Sequence, residues 1–110
     1  MRQDIIDRAE REIIDSGFSP ARAANLKISL AAEYSYYMGR LEDILTRRPT
    51  IWMEMRKTNQ SDKATDREWE STQDGIDEMV CRSRLKRIEK LISSLSTYVR
   101  VAEGEARNQY

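Results

Sequence analysis

The chain has 110 residues, 35% of them charged, and its 19 Lys and Arg balance its 19 Asp and Glu. A chain of this length predicts one domain (residues 1–110) with a modest core. Zero net charge argues against binding driven by total charge, although a local basic patch could still bind an anion. The lack of histidine and the single cysteine, Cys81, exclude an internal disulfide and a Cys–His nucleophile, and they disfavour a zinc site. We therefore expect neither a metal nor a cofactor.

The first predicted helix covers about residues 2–15. Its apolar residues recur at helical spacing: Ile5, Ile6, Ala9, Ile13 and Ile14. Ser16 and Gly17 then predict the end of this helix, because glycine tolerates the left-handed conformation that closes many helices.

The second predicted helix covers about residues 20–47, with Ser19 as N-cap and Pro20 at the first helical position. Its apolar stripe consists of Leu26, Leu30, Tyr34, Tyr37, Leu41 and Ile44. Gly39 inside this helix costs ~1 kcal/mol relative to alanine, which favours a packing reason for it. Pro49 predicts a break or a kink, and residues 50–57 are expected to form a short separate helix.

A long final helix is predicted from about residue 62 to 106, with Ser61 as its N-cap. Its first apolar face consists of Trp69, Ile76, Met79 and Val80. A second face, rotated by roughly 120°, keeps a strict alternation of four and three residues. This second face, the C-terminal seam, consists of Cys81, Leu85, Ile88, Ile92, Leu95, Val99 and Ala102. Two successive apolar faces on one helix predict two different sets of packing partners.

These elements predict an all-α fold, a helical hairpin or bundle with one long C-terminal helix. Such a helix would be about 60 Å long, more than shorter helices of one chain can cover. We therefore expect a homo-oligomer in which the C-terminal seam packs across subunits in the manner of a coiled coil. The alternative is a monomeric bundle with a bent final helix.

Enzymatic activity is not expected. The chain has no G-x-S-x-G motif and no glycine-rich phosphate loop, and Cys81 on the apolar seam is interpreted as an inert buried thiol. The start of the chain has no continuous apolar core and no run of about 20 apolar residues follows. We therefore expect no signal peptide, no membrane contact and a cytoplasmic location.

Charge is segregated along the final helix. Acidic residues dominate from Asp62 to Glu78, and five bases lie in the block from Arg82 to Lys90. The basic residues are Arg82, Arg84, Lys86, Arg87 and Lys90. Ridges of this kind can follow a phosphate backbone, and they can equally pair with the acidic segment of another subunit. Trp69 is interpreted as core or interface packing, with a direct role in nucleic-acid binding as the alternative.

The stretch "SDKATDREWESTQDG" and the ending "RVAEGEARNQY" resemble small helical accessory proteins that bacteriophages encode beside recombination and replication genes. The nearest family is the recombination mediator UvsY of T4-type phages, which the chain resembles in its small helical character. The residues that carry this resemblance are Asp66, Arg67 and Ser71, before a long terminal helix. The resemblance implies an oligomer that binds single-stranded DNA and helps to load a recombinase. Its partners would be the recombinase or a single-strand-binding protein in the host cytoplasm.

The preferred hypothesis is thus a non-enzymatic phage DNA-recombination accessory that binds single-stranded DNA through the basic block, with Arg67 and Trp69 at its edge. A second hypothesis is a protein-interaction adaptor or inhibitor of a host or phage enzyme that touches no DNA. A purely structural oligomer is the third.

Overall fold

The computed structural model describes residues 4–14 and 18–108, with side chains as far as residue 105. The described part consists of the helices α1 (Ile5–Ile13), α2 (Pro20–Arg56), α3 (Asp62–Ser71) and α4 (Gln73–Asn108). Within residues 4–14 and 18–108 there is no strand. The all-α class and the long C-terminal helix are therefore confirmed.

The starts of three helices are fixed by side chains that accept backbone N–H bonds. Asp4 Oδ1 accepts from Ile6 N at 3.0 Å and begins α1. The predicted caps are confirmed, because Ser19 Oγ accepts from Arg22 N at 3.3 Å and Ser61 Oγ accepts from Ala64 N at 3.1 Å. The predicted stop at residues 16 and 17, and residues 2, 3 and 15 of the first predicted helix, lie outside the described residues.

Helix α2 passes through Pro49, so the predicted break and the separate helix at 50–57 are wrong. Proline has no N–H to donate and costs ~3 kcal/mol in a helix interior. Residues on both sides of Pro49 contact α3 and α4, which favours the continuous helix. Arg47 and Arg48 bind Asp74 and Glu78 at 3.1 Å each, and Trp52 Nε1 donates to Asp66 at 2.8 Å.

The predicted helix over 62–106 is two helices, because the chain turns at Thr72, whose φ of −76° and ψ of 162° are extended. Thr72 Oγ1 accepts from Gly75 N at 3.0 Å, which is an N-cap bond for α4. The same hydroxyl donates to the Trp69 carbonyl oxygen at 2.6 Å, at the end of α3. One threonine therefore ends α3 and begins α4.

Contacts within the chain divide it into two compact units. Unit 1 takes in the described residues of Met1–Ser35 and Lys86–Tyr110, and unit 2 is Tyr36–Leu85. The buried apolar residues of unit 1 are Ile6, Ala9, Ala23, Leu26, Leu30, Ile88 and Leu95. Those of unit 2 are Leu41, Ile44, Trp69, Cys81 and Leu85. Each unit therefore combines residues of α2 and α4 in its own core.

Candidate functional site

The predicted C-terminal seam is largely covered by the chain itself. Cys81, Leu85, Ile88 and Leu95 are all buried within a single chain, and Ile92, Val99 and Ala102 are half-buried. The prediction that the four buried residues face another subunit is wrong, because the apolar stripe of α2 supplies buried partners in both units. The remaining three could still contact a partner, and their part in an interface stays a prediction.

Cys81 is a packing residue of unit 2. Burial raises the pKa of its thiol, and the nearby Asp77 carboxylate acts in the same direction, while Arg40 opposes both. A raised pKa lowers the fraction of thiolate, which is the nucleophilic and metal-binding form. The burial and the raised pKa of Cys81 therefore agree with the inert buried thiol that the sequence predicts.

The three arginines of the basic block make contacts within the chain. In unit 2, Arg82 pairs with Glu78 at 3.4 Å, and the Arg84 guanidinium lies 5.5 Å from the centre of the Tyr37 ring. In unit 1, Arg87 binds two carboxylates of α1, Glu10 at 2.7 Å and Asp7 at 3.3 Å. Because their guanidinium groups already interact with groups of this chain, these arginines are less suited to bind a phosphate.

Lys86 and Lys90 of the same block differ from the three arginines in their contacts. Both are exposed, and within residues 4–14 and 18–105 neither forms an ion pair. They lie four residues apart on α4 in unit 1, so their side chains are neighbours on the helix surface. Of the five residues in the basic block, these two lysines remain available in that part of the chain.

Trp69 is buried in unit 2, with 2% of its surface exposed, and cannot stack on a base. Its predicted role in binding nucleic acid is therefore wrong, and the interpretation as packing is confirmed. The Arg48 guanidinium lies 5.5 Å from the ring centre, while the indole N–H has no hydrogen-bond partner among the described atoms. Arg67, on the same helix α3, is exposed to solvent.

The first apolar face of the predicted long helix is split by the turn at Thr72. Trp69 enters the core, whereas Ile76, Met79 and Val80 of α4 are 40%, 64% and 40% exposed. At positions i, i+3 and i+4 these three side chains form one patch, the α4 apolar face. The two carboxylates next to this patch already form ion pairs: Asp77 pairs with Arg40 at 3.4 Å, and Glu78 pairs with Arg48 at 3.1 Å. The patch is therefore apolar and flanked by neutralised charge.

Each unit also carries a surface groove that the sequence pattern does not predict. The groove of unit 1, about 470 Å³ in volume, is lined by Ala31, Tyr34, Ser35, Glu89, Ile92 and Ser93. The groove of unit 2, about 330 Å³, is lined by Arg48, Pro49, Trp52, Met53 and Asp66. Both arise from residues that are distant in sequence, so no local pattern could have revealed them.

Other classes of site find no structural support in the described ranges. Residues 4–14 and 18–108 hold no group of three or more His, Cys, Asp or Glu placed to bind a metal ion. In the same part of the chain, no helix has the length and apolar character required to cross a membrane.

Comparison of the chain with protein-family models, with curated protein sequences and with solved structures found no match. The resemblance to the UvsY family stays a prediction from the residues that suggest it.

Proposed function

We propose that this chain is a non-enzymatic adaptor that binds another protein through the α4 apolar face of unit 2. The observation that carries the proposal is the exposure of Ile76, Met79 and Val80 as one contiguous patch. Single exposed apolar side chains are ordinary, whereas contiguous ones on a helix mark interaction surfaces. The partner surface is expected to be an apolar groove, because side chains at i, i+3 and i+4 of a helix dock into such grooves.

The energetics require more than half of the binding free energy to come from the rest of the contact. Removing these three half-exposed side chains from water supplies about 3 kcal/mol. A complex with a dissociation constant of about 1 μM needs about 8 kcal/mol, so the polar side chains around the patch have to contribute as well. Exposed Ser83, one turn beyond Met79 on α4, is placed to do so.

Photo-crosslinking tests the adaptor proposal directly. With a photoreactive phenylalanine analogue in place of Met79, we expect cross-links to a specific second protein that survive nuclease treatment. Val80→Glu should reduce these cross-links at least about tenfold, because a charge would enter the apolar centre of the contact. The products are measured by gel electrophoresis and identified by mass spectrometry.

The matched control carries the same analogue at Glu42, an exposed polar position of α2 in unit 2. Equal cross-linking from positions 42 and 79, or products that disappear with nuclease, would contradict the proposal. So would cross-links from position 79 that join only copies of this chain.

A DNA-recombination accessory that contacts single-stranded DNA is the second candidate function. Lys86 and Lys90, exposed and without an ion pair among the described residues, support it. Two phosphate contacts on a single strand predict a salt slope of about −1.4 in a plot of log affinity against log salt concentration. Such binding would be weak and confined to low salt.

We expect the double variant Lys86→Glu with Lys90→Glu to abolish binding of a fluorescent oligothymidylate at ~50 mM salt. Fluorescence anisotropy measures the binding, and Lys57→Glu with Lys63→Glu, the same change of charge at exposed positions of unit 2, is the control. If the unaltered chain leaves the anisotropy unchanged at this salt concentration, the nucleic-acid function is wrong.

A further inference from the structure

The groove of unit 1 lies between α2 and α4 and is lined mainly by small and apolar groups. Ala31 and Ser35 line it from α2, and Ile92 and Ser93 from α4. Tyr34 donates its hydroxyl proton to Glu89 at 2.9 Å, a hydrogen bond that raises the pKa of Tyr34. Small side chains along a groove allow the backbone of another helix to approach closely.

The α2 edge of this groove carries a projecting side chain. Ala24, Ile28, Ala31 and Ser35 are all exposed and recur at spacings of four, three and four, which places them on one face of α2. Ile28 is 70% exposed. A large apolar side chain thus lies one turn from Ala31, which lines the groove on the same face of the same helix.

A patch that contains both a projecting side chain and a groove can pair with a second copy of itself. Two-fold symmetric interfaces require this property, since each subunit presents the same surface to the other. In an antiparallel contact, Ile28 of one copy would enter the groove of the other, and the reverse contact would follow from the symmetry.

The charges of the chain permit such self-pairing. Its 19 Lys and Arg balance its 19 Asp and Glu, so two copies have no net charge repulsion. Lys27, next to Ile28, forms no ion pair within the described ranges, and Glu89 in the groove is exposed. Lys27 of one copy is therefore available to pair with Glu89 of the other copy, and the symmetry repeats this pair once.

We propose that the groove of unit 1 binds a second copy of this chain, which forms an antiparallel dimer with Ile28 in the partner's groove. This surface includes Ile92 of the C-terminal seam and replaces the four buried residues of that seam as the place of self-association. It does not depend on the adaptor function proposed for unit 2. A dimer of this kind would present the α4 apolar face twice.

Light scattering of the full chain across a concentration range of about 5 to 500 μM tests the dimer. The expected mass rises from one chain to two, and Ile28→Glu should raise the dissociation constant at least tenfold. Met53→Glu, at a similarly exposed position of the same helix α2 but in unit 2, should leave the dimer unchanged. Circular dichroism of each variant confirms that the helices are intact, which is expected since both side chains project into solvent.

A charge exchange adds a second measurement that does not depend on the apolar contact. Lys27→Glu alone should weaken the dimer, and the pair Lys27→Glu with Glu89→Lys should restore it. A chain that stays monomeric to 500 μM, or an Ile28→Glu variant with unchanged dimer mass, overturns the proposal. A groove that captures a foreign peptide while the chain remains monomeric would also overturn it.

Discussion

Gly75→Ala is expected to destabilise the chain by about 3 kcal/mol. A Cβ at this position would lie 1.9 Å from the carbonyl oxygen of Trp69 and 2.7 Å from its carbonyl carbon. Both atoms belong to the backbone at the end of α3, so no change of rotamer relieves the clash. Thermal unfolding followed by circular dichroism should show a midpoint lower by about 10–20 °C.

Gly39→Ala is the matched control, because it makes the same change in a helix where an added Cβ meets nothing within 4 Å apart from the adjacent backbone of its own helix. This substitution should stabilise the chain by about 0.5–1 kcal/mol, since alanine loses less conformational freedom than glycine on helix formation. The packing reason expected for Gly39 from the sequence is therefore wrong for the described residues. If Gly75→Ala were as stable as Gly39→Ala, the close approach of α3 to α4 at Thr72 would be contradicted.

Local signals in the sequence predicted the helix starts well. Ser19 and Ser61 act as the N-caps that their hydroxyls and their positions before helical segments indicate. These signals depend on a few neighbouring residues, which is why they can be recognised without a structure. The turn at Thr72 has a comparable signal, a threonine as N-cap followed by Asp74 in the first turn of α4. The polar run around it is equally compatible with one continuous helix.

The prediction of separate helices around Pro49 failed for a different reason. Proline opposes helix locally, yet Arg47, Arg48 and Trp52 bind residues of α3 and α4 that are 14 to 30 positions away. The free energy of these tertiary contacts does not appear in any short window of the sequence. Propensity was therefore overridden by packing, as is common for single residues.

The candidate surfaces were partly predictable. The apolar periodicity of α4 identified Ile76, Met79 and Val80 as a contact face, and the structure leaves that face exposed. The same periodicity could not tell an intrachain core from a subunit interface, because both bury an apolar stripe at heptad spacing. The assignment of Ile88 and Leu95 depended on where α2 lies, which becomes visible only in three dimensions.

Ile88→Ala is expected to destabilise the chain by about 3 kcal/mol, because Ile88 is 0% exposed within a single chain and its truncation leaves a cavity in the core of unit 1. The loss should be the same at low and high protein concentration, since an intrachain contact does not depend on mass action. Urea unfolding at about 1 and about 100 μM, followed by circular dichroism, measures both properties.

Val101→Ala serves as the control on the same helix, where the side chain is 52% exposed and its loss should change the free energy of unfolding by less than about 0.5 kcal/mol. The two variants together separate a core residue from an interface residue. A destabilisation by Ile88→Ala that appears only at high concentration would mean that Ile88 is buried between subunits. The C-terminal seam would then be the oligomer interface after all, and a dimer formed through the groove of unit 1 would not be needed to explain self-association.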